Sequence, residues 1–241
     1  MCFNTAMPAQ AHNAHPKKRT NEGAENYAKA LYELQEREPE GVGTTLVAER
    51  LGVTPASASG MLRRLADEGL VEYAPYQGAR LTPEGERVAL EVIRHHRLLE
   101  LFLAEVLGMP WDRVHEEAEV LEHHISEDLE ELIAAKLGEP ALDPHGDPIP
   151  DRDLAISAED SVSLLELDPG DQAVFTRVSD SDASMLRYLA ERSIQPGAPL
   201  TVKSREPFGG PLIVEIEGRT HPLGAELAES MRVRRQSAGD R

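Results

Sequence analysis

The chain has 241 residues, a formal net charge of −18 and 40% hydrophobic residues, which fits a globular protein of one large or two to three small domains. It contains no run of about 18 apolar residues and no apolar segment at its start, so neither a membrane span nor a secretory signal is expected. Cys2 is the only cysteine, which excludes a disulfide framework and a thiolate zinc site. We therefore expect a cytoplasmic protein whose contact with nucleic acid is local, because its acidic charge opposes sequence-blind adhesion.

The first elements along the chain predict a small DNA-binding unit. After a polar segment with no period, a helix starts near Ala24. A short helix over 44–50 stops at Gly52, and a second begins at Pro55 behind the N-cap Thr54 and stops near Gly69. Two short strand-like runs around a glycine turn follow in LVEYAPYQGARL. This order predicts a winged helix-turn-helix.

The second helix of this pair has the side chains that a recognition helix needs. Short polar and basic residues can approach the major groove, and a basic residue in the wing can reach a phosphate or the minor groove. A hairpin used only for packing is the alternative, but the tight turn at 51–53 and the wing directly after it favour operator DNA. The candidate DNA-binding residues are Thr54, Ser57, Ser59, Arg63, Arg64 and Arg80.

Two apolar-faced helices are predicted after the wing. The first starts at Thr82-Pro83 and runs to about residue 108, and the second covers about 111–137. Faces this broad commonly pack on more than one partner, so we expect a homodimer. Beyond Gly138 the segment EPALDPHGDPIPDRD has four prolines and no helical period, which marks a domain boundary. From about Ser161, four or five short strands with one helical excursion predict a small SH3-like barrel.

Histidine and glutamate side chains share faces of these two helices. At about 100° per residue, four of them in HEEAEVLEHH project from one side, and an i, i+4 pair lies in the preceding helix. A solvated acidic face is the alternative for either helix alone, whereas the two together favour a metal site. Imidazole and carboxylate without thiolate favour Mn²⁺, with Fe²⁺ as the alternative. The residues are His115, Glu119, Glu122 and His123, then His96 and Glu100; His95 and His124 are expected at the surface.

The ordered motifs resemble the diphtheria toxin repressor family, which includes iron-dependent and manganese transport regulators. The similarity runs from about residue 24 to about residue 150 and rests on AENYAKALYEL, AERLGVTPASASGMLRRLADEGLVEY, LTPEG, RHHRLLE, VHEEAEVLEHHIS and PHGDPIP. It implies a mainly α fold with small β parts. Together with the composition along the chain, it leads us to expect five parts: a disordered arm (1–22), a winged helix-turn-helix domain (23–88), a helical metal-binding and dimerisation domain (89–140), a Pro-rich linker (141–160) and a C-terminal SH3-like domain (161–241).

The resemblance also implies how the ligands are divided. A primary site would use Glu119, Glu122 and His123, with Asn26 from the first helix, and an ancillary site would use the other three candidates, His96, Glu100 and His115. Glu119 stands where iron regulators have Cys and manganese regulators have Glu, which favours manganese. Lys29 stands where some manganese regulators carry a second first-helix Glu. Asp180 or Asp182 is a candidate for a donor from the third domain, although either fits a turn or an N-cap equally well.

The sequence therefore predicts a repressor that binds operator DNA when a divalent metal ion acts as corepressor, and that controls genes of metal-ion homeostasis. No small-molecule substrate is expected. Two alternatives stay open at this point. One is a carboxylate-bridged dimetal enzyme, for which the chain shows no positioned nucleophile or cofactor loop. The other is a metal-independent winged-helix regulator whose barrel binds a partner.

Overall fold

The computed structural model describes residues 21–74, 77–157 and 160–236. The predicted arm therefore lies outside the described residues, apart from its last two positions. Those two belong to the first helix, because the side chain of Asn21 caps it by accepting a hydrogen bond from the Ala24 amide at 2.8 Å. None of the described helices is both long and apolar enough to cross a bilayer.

The N-terminal unit forms around a compact apolar core that includes Leu31, Leu62 and Leu65. Thr54 caps the recognition helix as predicted, with its hydroxyl accepting from the Ser57 amide at 3.2 Å, and such a cap stabilises a helix by about 1 kcal/mol. The elements are α1 (Glu22–Gln35), α2 (Thr44–Arg50), α3 (Pro55–Asp67), β1 (Val71–Ala74) and β2 (Gly78–Leu81), and the two strands pair antiparallel as a wing.

The middle of the chain forms α4 (Pro83–Glu105), α5 (Val114–Leu121) and α6 (Glu127–Leu137). The single helix predicted over 111–137 is wrong, because it is broken after Leu121 and restarts behind the N-cap Ser126, whose hydroxyl accepts from the Leu129 amide at 3.3 Å. Periodicity alone hides this break, since the apolar residues resume in nearly the same phase after it.

His95 stabilises the break, and its predicted surface position is wrong. The side chain is buried, with Nδ1 donating to the Glu122 backbone carbonyl at 3.1 Å and Nε2 donating to the Glu130 carboxylate at 3.0 Å. It therefore satisfies a carbonyl freed at the end of α5 and ties α6 to α4. Arg94 pairs with the same Glu130 carboxylate. His124, in contrast, is exposed as expected.

The first part of the predicted linker is tightly packed. Leu142 and Pro148 form an isolated bridge, and His145 is fully buried with Nε2 donating to the Trp111 carbonyl at 2.8 Å. Gly146 has φ of +90°, and a Cβ built there would lie 1.9 Å from the Thr176 carbonyl oxygen. Only glycine permits this approach, which presses the linker against the C-terminal domain.

The C-terminal domain is a six-stranded antiparallel sheet in the order β3-β8-β4-β5-β6-β7 around a core that includes Phe175. The prediction of four or five strands missed β3 and β7. Pro222 hid β7, and the sheet tolerates a proline there because β7 is an edge strand. The elements are β3 (Val162–Ser163), β4 (Gln172–Val178), α7 (Ala183–Ala190), β5 (Pro199–Arg205), β6 (Leu212–Ile216), β7 (Arg219–Leu223), α8 (Ala225–Ser230) and β8 (Met231–Arg235).

Candidate metal centre and DNA-binding surface

Four side chains from three parts of the chain converge beside α4. His96 Nε2 lies 3.0 Å from Glu100 Oε1, and His115 Nδ1 lies 3.3 Å from the same oxygen. Asp180, from the loop after β4, places Oδ2 3.0 Å from His115 Nδ1. One donor atom from each of the four lies within 4.8 Å of the others. We call His96, Glu100, His115 and Asp180 the four-donor group.

In the metal-free protein, hydrogen bonds from protonated histidines hold the four-donor group together. Burial lowers the pKa of His96, but the Glu100 carboxylate and hydrogen bonds to Glu100 and Glu122 outweigh it and raise this pKa to about 9. Burial likewise opposes protonation of His115, whose pKa is raised to about 10 by Asp180 and Glu100. Both imidazoles therefore carry charge at neutral pH. A divalent ion has to displace these protons, because imidazole binds metal in its neutral form.

The four-donor group fits a divalent metal ion. Glu100 is fully buried, and its Oε2 has no hydrogen-bond partner among the described residues, which is costly for a buried oxygen and would be relieved by a bound metal ion. The nearest candidate donor is His145 Nδ1 at 3.7 Å. Two imidazoles and two carboxylates also match the ligand preference of Mn²⁺ and Fe²⁺ better than that of soft metals.

The remaining predicted ligands are split. Glu119 and Glu122 converge on His96. The Lys29 ammonium from α1 lies between the two carboxylates and donates to Glu119 Oε1 at 2.6 Å and to Glu122 Oε2 at 2.8 Å. His123 lies on the other side of Glu122. Its Nδ1 donates to Glu25 Oε2 at 2.7 Å, while its Nε2 is 3.4 Å from Glu122 Oε1.

Asn26 is half-buried on α1, and no hydrogen bond joins it to either group within the part of the chain that is described. Its assignment as a ligand stays a prediction. The contacts of α1 with the metal centre come instead from Glu25 and Lys29, which are i, i+4 neighbours on one helix face. Sequence reasoning missed Glu25 as a contact. The signal was a charged pair inside a helix whose neighbouring residues are mostly buried.

Two further residues were not assigned a role from the sequence. His145 lies in the linker, and Glu100, Asp143 and His145 form a third cluster of potential donors. The pKa of His145 is raised to about 9, since the Glu100 carboxylate outweighs burial.

Asp180 belongs to the four-donor group, whereas Asp182 caps α7 by accepting from the Ser184 amide at 2.8 Å. Only the folded chain distinguishes these two aspartates, because both precede a helix.

The predicted DNA-binding residues differ in how free their side chains are. Arg63 and Arg64 are exposed on α3, although Arg64 donates to Glu68 at 3.0 Å. Ser59 is half-buried and hydrogen-bonds to Tyr73 of the wing rather than facing outward. Arg80 donates to the carbonyls of Pro39 and Glu40. It therefore fixes the wing to the loop before α2, and it reaches DNA only if these bonds break.

Three family models match successive parts of the chain. The iron-dependent repressor N-terminal DNA-binding domain matches residues 19–79, and the iron-dependent repressor metal-binding and dimerisation domain matches residues 82–151. A FeoA domain matches residues 162–235. This architecture, with a winged helix-turn-helix and a donor cluster between the domains, is that of a metal-dependent transcriptional repressor. The predicted fold class, mainly α with an SH3-like C-terminal domain, is confirmed.

Relatives agree over nearly the whole chain. The diphtheria toxin repressor of Corynebacterium diphtheriae is 35% identical over 232 residues, covering 87% of this chain and 95% of that protein. The iron-dependent repressor IdeR of Mycobacterium tuberculosis is 33% identical over 224 residues with the same coverage. A solved manganese-dependent transcriptional repressor in complex with manganese is 42% identical with a TM-score of 0.83, covering 88% of this chain and 100% of that one. The chain belongs to the diphtheria toxin repressor family of iron- and manganese-dependent repressors.

Proposed function

We propose that the chain is a manganese-responsive repressor, with Fe²⁺ as the alternative activating ion. The observation that carries this is the four-donor group, which combines imidazole and carboxylate without thiolate. Glu119 adds a further carboxylate next to it rather than a Cys. The manganese complex of the 42% identical repressor supports the same choice.

The residues that would hold the ion are His96, Glu100, His115 and Asp180. A bound divalent ion would supply the positive charge that joins donors of different domains. His96 and Glu100 present their donors from α4, His115 presents one from α5, and Asp180 brings the C-terminal domain to them. His145 lies behind Glu100, with Nδ1 3.7 Å from Oε2, and its Nε2 donates to the Trp111 carbonyl. Glu122, His123 and Asn26 remain our candidates for a further position.

Metal would act on DNA binding through domain orientation. An effector shifts an equilibrium only by binding one state better than another, and the four-donor group exists only where the C-terminal domain meets α4 and α5. We propose that the ligand-bound state holds two winged heads of a homodimer at operator spacing. Exposed apolar side chains in the dimerisation domain would be covered in this dimer; they are Leu107, Val120, Leu129 and Leu132.

The proposal makes the chain a regulator rather than an enzyme, with operator DNA as its partner and the cytoplasm, where the DNA lies, as its place of action. We propose no membrane association and no small-molecule substrate. Its membership of a repressor family favours this over the dimetal enzyme. The metal-independent regulator makes a different prediction, because its DNA binding would be unaffected by chelators.

The decisive experiment selects DNA ligands and then removes the metal. The full chain, purified without metal, is incubated with random-sequence duplexes in Mn²⁺, and the recovered duplexes are measured by fluorescence anisotropy in Mn²⁺, in anaerobic Fe²⁺ and in EDTA. We expect tight binding in Mn²⁺ that EDTA reverses. Equal affinity in EDTA would contradict metal-dependent repression, and stronger binding in Fe²⁺ would reverse our choice of metal.

A further inference from the structure

Lys29 is a buried cation at the centre of the group formed by His96, Glu119 and Glu122. Its side chain is 9% exposed, and the ammonium nitrogen lies 2.6 Å from Glu119 Oε1 and 2.8 Å from Glu122 Oε2. The same nitrogen is 3.1 Å from His96 Nδ1. Three potential metal donors therefore surround an ammonium group that belongs to the chain itself.

The ammonium and a metal ion cannot share this position. Both carboxylate oxygens that face the centre of the group are engaged in short, charge-assisted hydrogen bonds to Lys29. The nitrogen stands between them, where an ion binding the same oxygens would have to lie. This group therefore does not fit a metal ion while Lys29 is present, in contrast to the four-donor group on the other side of His96.

Lys29 also reaches across a domain boundary. It belongs to α1 of the DNA-binding unit, whereas Glu119 and Glu122 lie at the end of α5. Removing the ammonium would take one cationic partner from Glu122, which is 1% exposed and also hydrogen-bonds to His96. Removing one partner of a buried ion pair is destabilising, because the charge that remains is less well compensated. The pair thus couples the position of α1 to α5 without any ligand.

We infer that the Lys29 ammonium permanently holds the cation position between Glu119, Glu122 and His96, so that at this position α1 is joined to the dimerisation domain by a lysine bridge and not by a metal ion. The inference rests on the proposed function, because it assigns metal control to the four-donor group. It follows that the chain binds one ion fewer than it would with a carboxylate at position 29. It also follows that metal controls the seating of the C-terminal domain more than that of α1.

The first test counts metal ions. Lys29→Glu replaces the ammonium with a donor beside Glu119, Glu122 and His96, so we expect one more Mn²⁺ per chain than in the wild type. Two Mn²⁺ ions on opposite sides of His96 should also broaden the Mn²⁺ signal in electron paramagnetic resonance spectra through exchange between the ions. The control is Lys203→Glu, which makes the same charge change at a surface pair with Glu215. Mn²⁺ is counted by elemental analysis after anaerobic gel filtration. An unchanged count in Lys29→Glu would overturn the inference.

The second test needs no metal and decides the matter if Lys29→Glu does not fold. Lys29→Met removes the bridge, and in EDTA we expect amide hydrogen exchange in α1 to rise at least tenfold, with Lys203→Met unchanged. Unaltered protection of α1 in Lys29→Met would show that the lysine does not join the two domains. If wild-type DNA affinity is the same with and without metal, the proposed function fails. The hydrogen-exchange experiment would still test the lysine bridge, because it needs no metal.

Discussion

The DNA-binding surface and the metal centre are built in opposite ways. The first lies within residues 44–74 and 78–81, where Thr54 caps α3 and the two wing strands pair with each other. The second takes His96, His115 and Asp180 from three separate segments, with a histidine of the linker behind them. The DNA-binding surface therefore keeps its shape when the domains change their relative orientation. The four-donor group forms only when the domains are in the correct relative orientation.

This difference explains how a small ligand can control a surface that it does not touch. Within the described residues, α3 packs chiefly on α2 and β1 and contributes no side chain to the four-donor group. In the mechanism that we propose, metal acts on the relative orientation of the domains, which determines the spacing of the two winged DNA-binding domains in the dimer. Substitutions in the metal centre should therefore change how DNA binding responds to metal. Substitutions in the winged helix-turn-helix domain should change DNA affinity alone.

The largest effect is expected from Glu100→Gln. The amide keeps the shape of the side chain but removes the buried charge next to His96 and His115, so Mn²⁺ affinity should fall more than about 100-fold. DNA binding should then stop responding to metal. Calorimetry and anisotropy on the same preparation measure both quantities. Glu105→Gln, on the exposed end of the same helix, is the control and should behave as wild type. A Glu100→Gln protein with normal metal response would remove Glu100 from the centre.

Metal affinity should depend steeply on pH. In the metal-free protein the pKa of His96 is about 9 and that of His115 is about 10, so both are protonated at neutral pH. Between about pH 6 and pH 8 Mn²⁺ affinity should rise about tenfold per pH unit for each proton displaced. Calorimetry in buffers of different ionisation enthalpy counts these protons. With the ordinary histidine pKa of about 6.5, Mn²⁺ affinity would stop rising with pH near that value. A plateau of Mn²⁺ affinity above about pH 7 would therefore show that the carboxylates do not raise the pKa of these histidines.

Asp180→Asn tests whether the C-terminal domain supplies a donor. The substitution removes charge but little volume, and we expect Mn²⁺ affinity to fall about 10- to 100-fold. Asp182→Asn is a matched control two residues away, because asparagine caps a helix as well as aspartate does. Anaerobic calorimetry on both variants makes the comparison. Equal losses in the two would mean that charge near the loop, and not ligation by Asp180, is responsible.

The smallest change should come from Arg63→Ala on the recognition helix. Its exposed guanidinium makes no ion pair within the described part of the chain, so it is free for DNA. We expect operator affinity to fall by about 1–3 kcal/mol if it contacts a base, and uniformly across sequences if it contacts phosphate. Mn²⁺ affinity should not change. Arg152→Ala, at an exposed pair in the linker, is the control. A shift in metal affinity for Arg63→Ala would break the separation between head and centre.

Local chemistry made much of the fold predictable from the sequence. Thr54 followed by Pro55 predicted the start of α3 to the residue, and Thr82 followed by proline did the same for α4. These signals work because capping depends on neighbours within one turn. The break between α5 and α6 has no such signal on its N-terminal side, since the donor that satisfies the Glu122 carbonyl is His95, far away in sequence.

The metal centre was predictable only in part, for the same reason. The convergence of His96, Glu100 and His115 could be predicted because they follow helical spacing on two adjacent helices. Asp180 and Asp182 could not be told apart, because only the seating of the C-terminal domain brings Asp180 to His115. Lys29 stood out as an unusual residue at its position, but its contact with both glutamates depends on how α1 packs on α5.

The close approach of Gly146 to the Thr176 carbonyl has a consequence for protein engineering. A chimera that takes its C-terminal domain from a relative inherits a new β4 surface, while the linker that was shaped to this surface stays behind. Any mismatch of even a methyl group at this point would tilt the grafted domain and move its aspartate away from His115. Exchange of the domain should succeed only when the junction is placed before Asp143, so that linker and barrel are transplanted as one piece.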